Sequence, residues 1–99
     1  MTTWYDVPVP HGAVDVGDWA DVGTPDPFRC FTGSPRVINL DDRDVDVEVR
    51  VDGTQYINGV ERGIAVHIFT DDRLTSAQAR QLAAALIETA DEVDRWAAR

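Results

Sequence analysis

Lysine is absent, cysteine occurs once, and no apolar run approaches the roughly 18 residues that a membrane-spanning helix needs. Each absence excludes something. With Cys30 alone, no intramolecular disulfide can form, which fits a reducing cytoplasm. The first ten residues, MTTWYDVPVP, lack a cationic stretch followed by an apolar one, so they do not read as a secretory signal. Cations are scarce: nine Arg face 18 acidic residues, for a net charge of −9. Phosphate backbones and anionic membranes are bound by clustered cations, so direct nucleic-acid and membrane binding are disfavoured. A basic protein surface is the better electrostatic match.

Catalytic and metal-binding patterns are missing too. There is no G-x-G-x-x-G, no G-x-x-x-x-G-K and no G-x-S-x-G. His11, Cys30 and His67 are the only imidazole or thiol ligands, and no two stand at a short zinc-site spacing. The acidic run Asp41–Asp46 has neither the glycine nor the terminal Glu of a calcium loop. No metal and no cofactor is expected.

What is present reads as one domain over residues 1–99, 43% hydrophobic, large enough to bury roughly 65% of its unfolded surface. Residues 1–27 are irregular. Prolines 8, 10, 25 and 27 break regular structure, and five Asp stand there with no Arg. Trp4, Tyr5 and Trp19 are costly to leave in water, so part of this segment should drape over the domain, with Val14–Val16 as a short strand.

Residues 28–69 read as an antiparallel sheet. Phe28–Phe31 is a strand, Thr32-Gly33-Ser34-Pro35 has turn composition, and Arg36–Leu40 returns. From Asp44 to Val51, valine alternates with charge, the pattern of a half-buried strand. Asp52-Gly53 and Asn58-Gly59 both suit a type I′ hairpin. Turning at Asn58-Gly59 pairs Ile57 with Val60, Gln55 with Arg62, Gly53 with Ile64, Val51 with Val66 and Val49 with Ile68. Arg50 then meets His67, and Glu48 meets Phe69. Turning at Asp52-Gly53 sets Val47 against Asn58, which is poorer. The first register is preferred, with Gly53 as a bulge or kink and Val60–Phe69 as the returning strand.

Residues 75–98 read as a helix. Thr75 and Gln78 form a capping box, and no Gly or Pro follows. Leu82, Leu86, Val93 and Trp96 share a stripe flanked by alanines. At roughly 33 Å, this helix could outrun a small sheet and project its last turns.

Three segments carry a resemblance: Gly53-Thr54-Gln55, Asn58-Gly59-Val60-Glu61-Arg62, and Leu74 through Ala83. Together they resemble small acidic proteins of mycobacteria, other actinobacteria and their phages, with a G-x-Q…D-G-x-V-E-R hairpin and an L-T-x-x-Q-A-R-x-L-A helix. Asn58 stands where those carry Asp. The all-Arg cation set fits the codon bias of a GC-rich genome. The resemblance implies a source and a hairpin, and no chemistry.

The expected fold is α+β: an antiparallel meander sheet of about four strands with one long C-terminal helix packed on one face. The expected function is a non-enzymatic protein-interaction or regulatory module. Trp96 and Trp19 are candidate anchors, Trp96 because it would stand beyond the sheet. A row of Asp44, Asp46 and Glu48, joined by Asp41 and Asp42, could imitate phosphates and make the chain a nucleic-acid-mimicking decoy for a basic surface. His67, among carboxylates, is the best-placed titratable group. A small enzyme using His67 or Cys30 is the third reading. Dimerisation, by edge pairing or helix packing, would protect an exposed strand edge.

Overall fold

The structure, a computed structural model, describes residues 6–40, 46–70 and 73–98. The expectations placed on Trp4, Tyr5, Asp41, Asp42, Asp44 and Val45 fall outside them. The chain runs β1 (Asp15–Val16), β2 (Phe28–Thr32), β3 (Arg36–Ile38), β4 (Val47–Tyr56), β5 (Glu61–Phe69) and α1 (Ser76–Ala97). All pairings are antiparallel. β1 lies beside β2, β4 follows, and β5 closes the other side.

The alternation of valines sets the two faces of β4. Val47, Val49 and Val51 are buried with Gly53 and Gln55, while Glu48, Arg50, Asp52, Thr54 and Tyr56 are half-buried. The first set faces α1, and here it is named the inner face. Ile38, Leu40, Val47, Val49 and Ala85 form one core cluster, with Leu82, Leu86 and Val66 against it. Phe31, Val51 and Trp96 form a second, with Ala13, Val16, Ile64 and Val93 around it. The α+β architecture and the one-sided helix are as the residue pattern implies.

Two local expectations are corrected. Thr32–Pro35 does not reverse the chain. β2 and β3 lie end to end along one edge of β4, with Thr32 opposite Asp52 and Arg36 opposite Val49. Three residues on this side face two on β4, so the segment is a kink in one long rank. Pro35 cannot donate to the ladder, yet Gly33 still donates to the Val51 carbonyl. Counting β2 and β3 as one rank gives a four-rank meander.

The hairpin turn is also different. The Gly59 amide donates to the Tyr56 carbonyl, and the Tyr56 amide donates to the Val60 carbonyl. Gly59 has φ +86°, while Asn58 keeps a negative φ. This is a three-residue loop, a type I turn closed by a left-handed glycine, and not the two-residue type I′. It shifts the near end by one residue: Gln55 pairs with Glu61 and Thr54 with Arg62. The expected pairs return beyond a bulge at Gly53, where Asp52 meets Ala65, Val51 meets Val66, Arg50 meets His67 and Val49 meets Ile68. Two residues of β5, Gly63 (φ +65°) and Ile64, absorb the slip. Gly53 is needed there for another reason: a Cβ would come within 2.7 Å of the Phe31 ring.

Side-chain ties lock the layers. Thr75 Oγ1 accepts from the Gln78 amide and Gln78 Oε1 accepts from the Thr75 amide, completing the capping box. Arg36 donates from β3 to Glu88, Thr89 and Glu92 on α1. Its pKa is raised further, chiefly by the hydrogen bond to Glu92. Buried Gln55 accepts from Arg29 Nε and donates to the Pro8 carbonyl, while Arg29 also donates to the Val7 carbonyl. The N-terminal segment is thereby fastened over the end of the sheet.

Candidate functional site

Helix coverage leaves one side of the sheet open. By register, its middle carries Glu48, Arg50, Asp52, Thr54 and Tyr56 on β4, with Phe69, His67 and Ala65 beside them on β5. Side chains on this outer face interlock. His67 Nδ1 lies 2.6 Å from Asp52 Oδ2. The His67 ring stacks on Phe69, with centroids 4.0 Å apart. The Arg50 guanidinium lies over the other ring of the row, 4.5 Å from the Phe69 centroid, and its Nη1 is 3.8 Å from Glu48. Arg50 Nε is buried with no hydrogen-bond partner among the described residues. Phe69 is still 39% exposed and Val37, opposite Glu48, is 48% exposed. The result is a plate in which a cation, an aromatic ring, an imidazole and carboxylates alternate within a few ångströms.

The candidate residues divide between the two faces. Asp46, Glu48 and His67 come together on or beside the outer one. Asp46 is partly committed, since its carboxylate accepts from the Leu40 amide. Of the acidic row, Asp46 is tied down by the Leu40 amide, Glu48 at its end has Arg50 beside it, and Asp41, Asp42 and Asp44 lie outside the described residues. Trp19 sits elsewhere, half-buried with the Arg29 guanidinium 4.5 Å from its ring centre.

Trp96 is a correction. It is only 6% exposed, stacks on Phe31 at 5.3 Å and donates from Nε1 to Glu61. The last helical turns do not project, because the N-terminal segment doubles back over them, with Gly12 passing the far edge of the indole. Trp96 anchors the domain's own core.

The Asp52–His67 pair has the geometry of a carboxylate orienting an imidazole, but a nucleophile must stand within hydrogen-bond reach of the other nitrogen. Cys30 is exposed and pairs with Thr54. It lies two ranks and four residues from His67 by register, on the order of 15 Å away. A cleft of about 500 Å³ opens between the N-terminal segment, β5 and the end of α1, lined by His11, Gln55, Glu61, Ile64 and Trp96 among others. Its Gln55 and Glu61 are engaged in the fold's own hydrogen bonds. Among the described residues, no group of three or more His, Cys, Asp or Glu is placed to hold a metal ion. No described helix is long and apolar enough to cross a membrane.

Residue spacing located His67 opposite Arg50 but missed the plate as a unit. Alternation along Val60–Phe69 placed Phe69 on the same side as His67, and that was the available signal. No protein-family model matches the chain, and neither a curated protein nor a solved structure does.

Proposed function

We propose that this chain is a non-enzymatic protein-interaction module that offers the outer face of its sheet to a protein partner of basic character. One observation carries the reading: the Arg50, Phe69, His67 and Asp52 plate is ordered by its own contacts yet left uncovered by α1. Preordered aromatic and Arg side chains bind with little loss of rotamer freedom, and such residues dominate binding energy at interfaces. The net charge of −9 supplies long-range attraction to a basic surface. A reducing, cytoplasmic setting suits the exposed thiol of Cys30.

The test uses the tagged chain as bait in a nuclease-treated actinobacterial lysate, washed at low and at high salt. The expected result is a stoichiometric protein that survives high salt and is lost with the Phe69→Ala, His67→Ala double variant. Equal capture by wild type and variant would refute the plate as the contact. The decoy reading retains one specific support, the adjacency of Asp46 and Glu48 on one side of β4. It expects instead that capture fails at high salt and that Asp46→Asn with Glu48→Gln abolishes it.

A further inference from the structure

We infer that two copies of this chain associate through the free edge of β5, joining their sheets into one and setting their helices side by side. β5 pairs with β4 on one side and with no described strand on the other. A nine-residue edge left unpaired is a template for another strand. The side chains beside it are also unfinished. Ile68 pairs with Val49 and so belongs to the inner face, yet it is 40% exposed, while its partner Val49 is fully buried. Ile64 and Val66, on the same face, are only half-buried.

The helix continues this surface. Glu88 and Glu92 reach Arg36 on β3, so that flank of α1 faces away from β5. On the opposite flank, at helical spacing, stand Ala79, Ala83, Leu86 and Ala90, with all three alanines exposed. Small residues there let a second helix approach closely.

A second copy fits this edge better than an unrelated strand, for two reasons. The first is charge. Two chains of net charge −9 repel, and can meet only where charge is missing. Residues 63–70 and 81–87 contain no Asp, Glu or Arg, and Val66 of the first run packs against the same core cluster as Leu82 and Leu86 of the second. The second is symmetry. An antiparallel pair centred on Val66 sets Ile64 of one copy against Ile68 of the other and Val66 against Val66, so the apolar row is its own complement. Clear of the bulge at Gly63, the symmetric seam is five residues, 64–68, about 17 Å long. With a two-layer depth of 17 Å, it covers roughly 300 Å² of projected area per copy, which belongs with weakly associating interfaces. Association in the micromolar range follows. This inference does not depend on the outer-face reading.

Sedimentation velocity across a dilution series tests it. The wild-type chain should sediment as a dimer near about 100 µM and dissociate on dilution, as a small interface requires. Ile68→Glu and Ala90→Glu, both at exposed positions, should sediment as monomers throughout with unchanged circular dichroism. In a Cys30→Ser background, Val66→Cys should crosslink to a dimer under mild oxidation, because facing antiparallel Cα atoms lie about 4.5–5.5 Å apart, within disulfide reach. A wild-type monomer at the highest concentration overturns the proposal. So do charged variants that remain dimeric, or a dimer that fails to crosslink at Val66→Cys.

Discussion

On one side of β4, Val47, Val49 and Val51 are almost wholly buried beneath α1. On the other, Glu48, Arg50 and Asp52 of the same strand remain half-exposed. Both sides are ordered, but by different means. Inner residues are held by removal of apolar surface from water, each buried valine contributing about 1.5–3 kcal/mol before other costs. Outer residues are held by a ring stack, a cation–π contact, the Arg50–Glu48 ion pair and the close His67–Asp52 contact at a wet surface, where such contacts contribute little to stability. The difference teaches which side of the strand carries the stability of the fold. A chain of this size has a net stability of about 5–15 kcal/mol, and the inner face can supply it. The outer plate is then free to serve another purpose.

Substitutions at the covered face should give the largest effects. Trp96→Ala removes the Phe31 stack, the Glu61 hydrogen bond and the lid of the second core cluster together. It should cost about 3–5 kcal/mol in urea unfolding, enough to leave part of the population unfolded at 25 °C. A loss below 1 kcal/mol would mean that the indole is a surface feature after all. Gly53→Ala forces a methyl group against the Phe31 ring and should cost about 1–3 kcal/mol by overpacking. Phe31→Leu in the same chain should recover part of that loss, which a double-mutant cycle would read. Thr75→Ala deletes the cap and should cost about 1 kcal/mol, seen as a lower thermal midpoint with the helix otherwise intact.

The order of these effects follows what was legible in the residues. The Thr75/Gln78 box and the valine alternation are local patterns, and the helix start and the inner face were readable from them. Hairpin register was half-readable: Val49 with Ile68 and Arg50 with His67 follow from matching apolar rows. The bulge at Gly53 was readable as a glycine inside a strand, but the three-residue loop was not, because Asn-Gly serves both turn types. Gly33-Ser34-Pro35 likewise has the composition of a reversal and of a kink, and only the pairing of Arg36 with Val49 distinguishes them. Trp96 was misplaced because its burial depends on a segment more than 80 residues earlier in the chain folding back over it. The plate is not legible in the sequence for a related reason. Phe69 and Arg50 are far apart in sequence, and a stacked cluster is a property of register and rotamers together.

The smallest expected effect is the most informative. Urea unfolding of the Phe69→Ala, His67→Ala double variant, run beside Val49→Ala, compares the two faces directly. Val49→Ala should lose about 1.5–3 kcal/mol, in line with buried-methyl deletions. The outer double variant should stay within about 1 kcal/mol of wild type, which would leave the plate available for binding. A loss from the double variant as large as that from Val49→Ala would make the plate a structural element of the sheet and contradict the account.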